Sequence, residues 1–280
     1  MKLIELHETT HTVKVGERCE DLEPNVKEDC IFVCHGEPIG FYVRRIPDNM
    51  IQLADIANRE FRSNRVPKSL LERTDVLKLT QQGYTRAQAK KLGTVQQSAI
   101  LGSIPPKPMF KREYPTISSV HSVESAKNFV KAMLLLAIAS ENYLKEIMPT
   151  QYDLQSKLLS GVADKWKFGN LFTSSISNFN ISAPYHKDGG NIIGTVNVII
   201  TKRKDSVGGN LHLPDYGAVI DQCDNSLLVY PAWRNIHGVT PIHPTSPDGY
   251  RNTLIFYALK AFLQEQYKDG TSDQTTNCQK

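Results

Sequence analysis

Residues 192–259 contain five short apolar runs that are separated by glycine, aspartate, asparagine or proline: IIGTVNVII (192–200), NLHLP (210–214), GAVID (217–221), SLLVYP (226–231) and NTLIFYAL (252–259). Short apolar runs that are bounded by turn-forming residues are typical of β-strands. Strands that follow one another this closely predict an antiparallel sandwich or barrel. These residues therefore predict a β core in the second half of the chain.

Helical patterns predominate between the first strands and this core. The clearest helix runs from about Ser122 to a stop at Pro149, with apolar residues at helical spacing, and a shorter one covers about Tyr152 to Leu159. Residues 50–100 predict basic helices in pieces, with Pro67 in a first helical turn and Thr85 as an N-cap. Residues 103–115 (SIPPKPMFKREYP) predict an extended loop because three prolines lie close together. The N-terminal region predicts four short strands: LIEL (3–6), HTVKV (11–15), CIFVC (30–34) and GFYVRR (40–45).

The composition is that of an ordinary globular protein. The chain has 280 residues, of which 40% are hydrophobic and 22% charged, so disordered and fibrous classes are excluded. The net charge of +4 permits contact with nucleic acid without requiring it. The most apolar run, residues 133–139, is too short to span a bilayer, and the N-terminus lacks the apolar core of a signal peptide. We therefore expect a soluble, cytoplasmic protein.

The five cysteines do not suggest a disulfide framework, because their number is odd and their spacing irregular. Cys30 and Cys34, with His35 beside them and Cys19 upstream, leave a thiolate-rich zinc site as an alternative. The spacing matches no compact zinc module well. Free thiols in a reducing compartment are the favoured interpretation.

A His-x-Asp motif directly precedes the β core. Side chains repeat every two residues along an extended segment, so His186 and Asp188 are expected on the same side. One more histidine from a distant strand would complete a facial triad, which leaves open positions on Fe(II) for a bidentate co-substrate and O2. His237 is the favoured third ligand, and His243 is the competing candidate.

An Arg-x-Thr motif opens the last strand and indicates the co-substrate. The guanidinium of Arg251 offers a bidentate fork for a carboxylate, and Thr253 points to the same side of the strand. A 2-oxoglutarate site needs such a cation for its distal carboxylate. The ordered set of His-x-Asp, a later histidine and Arg-x-Thr therefore predicts a 2-oxoglutarate- and iron-dependent enzyme.

These motifs also carry a family resemblance. The segments HKDGGN (186–191), GGNLHLPDYG (208–217), LLVYPAWRNIHGV (227–239) and YRNTLIFYAL (250–259) resemble Fe(II)/2-oxoglutarate dioxygenases, particularly the TET/J-binding-protein branch and its phage-encoded members. The resemblance implies an α+β fold with a double-stranded β-helix (jelly-roll) core and flanking N-terminal helices. It implies Fe(II), 2-oxoglutarate and O2 as cofactor and co-substrates. It also implies hydroxylation of the 5-methyl group of pyrimidines in DNA.

Carried over residue by residue, the resemblance assigns the metal to His186, Asp188 and His237, and the 2-oxoglutarate carboxylate to Arg251 and Thr253. His212 would help to bind the co-substrate, although a cross-strand surface histidine is an equal alternative. Asn191 would contact the target base, or it is a turn residue. Gly208 and Gly209 match a Gly-Gly turn of the family.

The resemblance leaves the substrate partly open. The favoured reaction converts 5-methylcytosine to 5-hydroxymethylcytosine and possibly further. Thymine in DNA, a protein side chain and a metabolite are the alternative substrates. A non-catalytic jelly-roll module is the remaining alternative. A DNA base would have to be flipped out or single-stranded to reach the metal. The cysteine-rich zinc regions of TET enzymes are not reproduced. Candidate phosphate contacts are Arg59, Arg62, Arg65, Lys68, Lys107, Lys111 and Arg112.

The expected organisation has three parts. Residues 1–115 form a strand and helix extension that packs on the core and supplies contacts to DNA. Residues 116–265 form the dioxygenase core with its scaffold helices. Residues 266–280 form a flexible tail.

Overall fold

In the computed structural model, which describes residues 1–70, 80–88, 96–107, 109 and 112–263, a large sheet lies between a helical layer and a small sheet. The helices are α1 (Asp48–Arg62), α2 (Lys127–Ile147) and α3 (Pro149–Leu159). The strands are β1 (Lys2–Glu5), β2 (Cys30–Cys34), β3 (Glu37–Val43), β4 (Ser69–Leu70), β5 (Gln97–Ile104), β6 (Thr116–Ile117), β7 (Ser174–Phe179), β8 (Ala183–His186), β9 (Asn197–Lys204), β10 (Ser206–Gly208), β11 (Leu211–Leu213), β12 (Ala218–Ile220), β13 (Leu227–Tyr230), β14 (His237–Val239), β15 (Ile242–Pro244) and β16 (Tyr250–Tyr257).

The large sheet has the order β1-β2-β3-β13-β9-β16-β7-β5-β4, with β6 paired to β5. Its pairs are antiparallel except β1 with β2. Strands from the predicted extension and from the predicted core therefore share one sheet. The division of the chain at residue 115 stays a prediction.

Alternation along the central strands separates two cores. On β16, Leu254 and Phe256 pack in the apolar cluster beneath α1 and α2. The side chains of Arg251, Thr253 and Ile255, at the alternate positions, line a cavity on the opposite face. A single strand thus contributes to the helix-side core and to the cavity at once.

The small sheet faces this cavity. Its order is β12-β11-β14-β8, and β14 pairs with β8 so that His237 lies opposite His186. Leu211 and Leu213 of β11 are buried in the apolar cluster between the two sheets. Two facing, largely antiparallel sheets confirm the predicted sandwich.

The helical predictions hold for the main elements. Helix α1 lies in the region predicted to be helical, and α2 ends at Ile147, although short 3-10 turns delay its start to Lys127. Pro149 both follows α2 and occupies the first turn of α3. Thr85 is an N-cap in a reciprocal capping box, because its hydroxyl accepts from Gln88 N (3.3 Å) and Gln88 Oε1 accepts from Thr85 N (3.0 Å).

Several local predictions are wrong. Residues 11–15 are not a strand, because Gly16 and Glu17 instead exchange backbone hydrogen bonds with Tyr185 of β8. Ser69 pairs with Ser98 in β4, where a helix from Pro67 was expected. The run from Ile192 becomes a strand only at β9, since Gly194 has φ +93°.

Two strands of the large sheet lack the expected apolar alternation. Strand β7 reads SSISNF, and two of its buried serines are satisfied by hydrogen bonds, Ser174 Oγ to Ser103 O and Ser177 Oγ to Asn252 Oδ1. Strand β5 extends to Ile104, into the segment predicted as a loop. Because these strands contain buried polar side chains, they do not show the apolar pattern by which a strand is predicted.

None of the helices in the described part of the chain is long and apolar enough to cross a bilayer. The predicted tail (266–280) and parts of the predicted basic helices (71–79 and 89–95) lie outside the described residues.

Candidate metal and carboxylate site

The two sheets enclose a cavity of about 440 Å³. Every predicted site residue except His212 lines it: His186, Asp188, Asn191, His237, Arg251 and Thr253. The histidines and the aspartate belong to the small sheet and its loop, whereas Arg251 and Thr253 belong to the large sheet. The fold therefore brings together residues that are up to 67 positions apart in the chain (186 to 253).

Pairing of β8 with β14 builds the cluster of His186, Asp188 and His237, which we call the metal end of the cavity. One ligand atom from each residue lies within 4.8 Å of the other two. Asp188 Oδ1 is 3.5 Å from His186 Nε2 and 4.0 Å from His237 Nε2. Three converging N and O donors on one side of a centre fit a facial metal site with open positions.

The outward atoms of all three side chains have partners in the protein. The Nδ1 atoms of His186 and His237 lie 2.8 Å from Pro184 O and 3.2 Å from Asn235 O. Since a carbonyl can only accept, each Nδ1 carries the proton and each Nε2 presents a lone pair. Asp188 Oδ2 accepts from Asn197 Nδ2 at 3.0 Å, which leaves Oδ1 free. The donor set therefore suits a divalent metal.

His237 is held in its neutral form. Burial and, less strongly, the neighbouring His186 lower its pKa to about 4, while Asp188 acts in the opposite direction. The Tyr230 ring packs edge-on against His237 at 5.4 Å between centroids. A neutral imidazole is the form that binds a metal.

Arg251 is a buried cation without an anionic partner among the described residues. Its side chain is 3% exposed, and its Nε has no hydrogen-bond partner in that part of the chain. Burial and, less strongly, the charge of Arg203 lower the pKa of Arg251 to about 9. A buried guanidinium without a counter-ion is costly, so the site fits a ligand that brings a carboxylate.

Gly209 makes room for this arginine. A Cβ at position 209 would lie 2.4 Å from Arg251 Cδ and 2.9 Å from its Nε, and Gly209 has φ +67°. Both the backbone conformation and the space therefore require glycine here. We call Arg251, Gly209 and the cavity wall around them the arginine end.

Asn191 and Asn197 form a hydrogen-bonded chain to the metal end. Asn197 Nδ2 donates to Asp188 Oδ2, and Asn191 Nδ2 donates to Asn197 Oδ1 at 2.8 Å. A carboxylate can only accept, so it fixes the orientation of both amides. Asn197 was missed by the sequence analysis, although alternation along β9 places it on the cavity face.

Two other predicted residues lie elsewhere. The structure does not bring His212 to the cavity: its Nδ1 is 2.7 Å from the Tyr185 hydroxyl, which also accepts from Cys19 Sγ. His243, the competing ligand, lies on β15 with Nε2 2.8 Å from Asp21 Oδ1. The co-substrate role of His212 stays a prediction.

Cysteines make no metal cluster among the described residues, where His186, Asp188 and His237 are the group found. Cys19, Cys30, Cys34 and Cys223 are free thiols. The zinc alternative therefore gains no support from the part of the chain that the structure describes.

Several of the predicted phosphate contacts have intramolecular partners. Arg62 stacks on Tyr250, Arg65 lies 3.6 Å from Glu60, and Lys68 donates to Ser63 O. Arg112 donates to Pro105 O, and Lys111 lies outside the described residues. Arg59 is exposed. Contact with DNA through this region stays a prediction.

Comparison with known proteins shows the family and the fold of the chain. Residues 111–260 match the family model Tet_JBP, described as the oxygenase domain of the 2OGFeDO superfamily. The fold is similar to that of NgTET1 in complex with 5mC DNA, with a TM-score of 0.57 and 14% identity over 90% of this chain and 84% of that chain. A putative 2OG-Fe(II) oxygenase family protein from Caulobacter crescentus also matches, with a TM-score of 0.44 and 11% identity over 78% of this chain and 77% of that chain. No curated protein sequence shows significant similarity. The predicted α+β jelly-roll fold is thereby confirmed.

Proposed function

Because the Tet_JBP model covers more than half of the chain, the chain belongs to this family of Fe(II)- and 2-oxoglutarate-dependent oxygenases, and we propose that it hydroxylates the 5-methyl group of 5-methylcytosine in DNA. Fe(II), 2-oxoglutarate and O2 are the cofactor and co-substrates of the family. The DNA substrate is the part of the proposal that goes beyond family membership.

One observation supports the assignment of roles: three free ligand atoms share one cavity with a buried arginine whose Nε has no partner among the described residues. His186 Nε2, Asp188 Oδ1 and His237 Nε2 would hold the metal, while Arg251, with Thr253, would hold the far carboxylate of 2-oxoglutarate. When bound, the metal couples oxidative decarboxylation of 2-oxoglutarate to hydroxylation of a C–H bond. The protein fixes the two histidine tautomers through Pro184 O and Asn235 O.

The mouth of the cavity suits an extruded base. Lys187, Gly189 and Gly190 line the cavity and are exposed, and nothing described lies within 4 Å of a Cβ built on Gly189. A methyl group inside a duplex could reach the metal only after base flipping, and single-stranded DNA would avoid that step. A lysine at the rim could contact a backbone phosphate.

Asn191 is compatible with cytosine as the target base. One hydrogen of its Nδ2 donates to Asn197, which leaves the second hydrogen to donate and Oδ1 to accept. The exocyclic N4 amino group of cytosine is a donor, whereas the corresponding O4 of thymine is an acceptor. The similarity to NgTET1, whose solved complex contains 5mC DNA, agrees with this choice.

The test is to incubate the protein with Fe(II), 2-oxoglutarate, ascorbate and DNA containing 5-methylcytosine, and to analyse the nucleosides by mass spectrometry. The variants are His186→Ala/Asp188→Ala and, as a matched control, His243→Ala, because His243 contacts Asp21 outside the cavity. We expect 5-hydroxymethylcytosine with the wild type and the control, and none with the double variant.

Other results would redirect the proposal. Oxidation of thymine alone would change the base and keep the mechanism. Turnover of 2-oxoglutarate with untouched DNA, and no salt-sensitive DNA binding, would move the substrate to a protein side chain or a metabolite. Failure to bind Fe(II) at all would indicate a non-catalytic module.

A further inference from the structure

Gln222, just after β12, is a polar residue of the cavity wall that the assigned roles do not use. Its side chain is 1% exposed and it lines the same cavity as Arg251. Its Nε2 is buried and has no hydrogen-bond partner among the described residues. Buried amide donors nearly always have a partner, so an unpaired one beside a ligand cavity points to a ligand atom.

Three hydrogen bonds hold Gln222 in place. Its backbone N donates to Asn210 Oδ1 (3.2 Å), and its backbone O accepts from Arg203 Nη1 (3.0 Å). Its Oε1 accepts from Thr201 Oγ1 at 2.8 Å. The side-chain oxygen is thereby satisfied, and the amide hydrogens are left as the free groups of a fixed side chain.

The same contacts place Gln222 at the arginine end. Asn210 directly follows Gly209, the residue that packs against Arg251. Arg203, which holds the Gln222 carbonyl, is the cross-strand partner of Arg251 between β9 and β16. The two donors without partners, Arg251 Nε and Gln222 Nε2, therefore belong to one neighbourhood.

We infer that Gln222 Nε2 donates a hydrogen bond to the distal carboxylate of 2-oxoglutarate, alongside Arg251. This inference rests on the proposed function, because it names a residue for the same co-substrate. A carboxylate accepts several hydrogen bonds, so a charged fork and a neutral amide can share it. Gln222 would then select 2-oxo acids that carry a second carboxylate.

The experiment compares two ligands that differ in that carboxylate. Binding of 2-oxoglutarate and of 2-oxopentanoate is measured by calorimetry, with Mn(II) in place of Fe(II) to prevent turnover. The variants are Gln222→Met, which removes the donor at similar length, and Gln222→Glu, which opposes the carboxylate with a like charge. Gln155→Met is the control, since Gln155 is buried and bonded through Nε2 to Leu171 O and through Oε1 to Val196 N.

We expect Gln222→Met to weaken 2-oxoglutarate binding roughly 10-fold, the usual effect of a lost hydrogen bond to a charged group. Gln222→Glu should weaken it further, while the affinity for 2-oxopentanoate changes little in either variant. A role confined to folding would weaken both ligands equally, and an unchanged 2-oxoglutarate affinity in both variants would equally overturn the inference.

Failure of the DNA assignment alone would leave both binding measurements unchanged, and failure of the cofactor assignment is a separate result. In that case the wild-type protein itself would bind neither Mn(II) nor 2-oxoglutarate. If Gln222→Met does not fold, as shown by thermal unfolding, Gln222→Glu decides the question because it retains the oxygen that bonds Thr201.

Discussion

At the metal end of the cavity, the outward atoms of His186, Asp188 and His237 all have partners within the protein. At the arginine end, Arg251 Nε and Gln222 Nε2 have none among the described residues. Both ends lie in one cavity between the same two sheets. The metal end therefore has hydrogen-bond partners for every polar side-chain atom except its three ligand atoms. The arginine end still lacks a partner for its buried charge.

This difference has a physical consequence for stability. A metal site needs fixed lone pairs, so its supporting hydrogen bonds must exist before the metal arrives. An unpaired buried donor instead costs about 1–3 kcal/mol until a ligand satisfies it. Ligand binding at the arginine end should therefore stabilise the fold by mass action and by pairing the buried charge.

The largest expected effect is the loss of metal binding and turnover when one residue of the metal end is substituted. His237→Ala removes a buried ligand atom and should abolish Fe(II) binding and turnover, while His243→Ala should retain both. Metal content after gel filtration and a turnover assay measure this. Retention of one equivalent of metal by His237→Ala, or its loss from His243→Ala, would contradict the assignment.

A substitution at the arginine end should separate 2-oxoglutarate binding from metal binding. Arg251→Met removes the guanidinium, so we expect 2-oxoglutarate affinity to fall about 100-fold, as for a charged hydrogen-bonded pair. Mn(II) affinity without co-substrate should remain within about two-fold, because Arg251 makes no hydrogen bond or ion pair with His186, Asp188 or His237. Calorimetry with each ligand tests this, and an equal loss of metal binding would argue against two independent ends.

Asn197→Ala should weaken metal binding indirectly, because Asn197 holds the ligand Asp188. Removal of the donor to Asp188 Oδ2 frees the carboxylate to rotate, and such outer contacts are typically worth 10- to 100-fold in metal affinity. Asn191→Ala removes only the hydrogen bond from Asn191 to Asn197 and should affect metal binding less. If Asn191 contacts the base, its loss should instead raise the KM for DNA. Equal effects of both variants on metal affinity would contradict this order.

Gly209→Ala should disturb the arginine end by steric overlap. The new Cβ would meet Arg251 Cδ, so we expect a roughly 10-fold loss of 2-oxoglutarate affinity together with a lower melting temperature. Gly217→Ala is a matched control, because Gly217 also has positive φ (+57°) and a Cβ there would meet nothing within 4 Å. A similar loss of affinity in both variants would indicate general backbone strain.

The smallest expected effect concerns His212. Its ring is bonded to Tyr185 and does not line the cavity, so we expect His212→Phe to change 2-oxoglutarate affinity less than about three-fold. The family resemblance assigns it a co-substrate role and predicts a much larger loss. Calorimetry with 2-oxoglutarate therefore decides between the position of this histidine in the fold and the role carried over from the family.

Most of the core strands and the main helices could be predicted from local patterns, because burial on one face imposes a period of two or 3.6 residues. The failures have equally local causes. Buried serines interrupted the apolar pattern of β7, and a glycine at φ +93° delayed β9 to Asn197. Residues 11–15 alternate like a strand but form none, and only the following Gly16 and Glu17 bond to the backbone of Tyr185 in β8.

The sequence by itself determined the pairs that are two residues apart, His186 with Asp188 and Arg251 with Thr253, since alternation along an extended chain places each pair on one face. Only the tertiary structure decided that His237 meets the first pair and that His243 does not. It also brought in Asn197 and Gln222, which no motif marks. Such choices depend on which distant strands pair and in what register, and a local period carries no information about either.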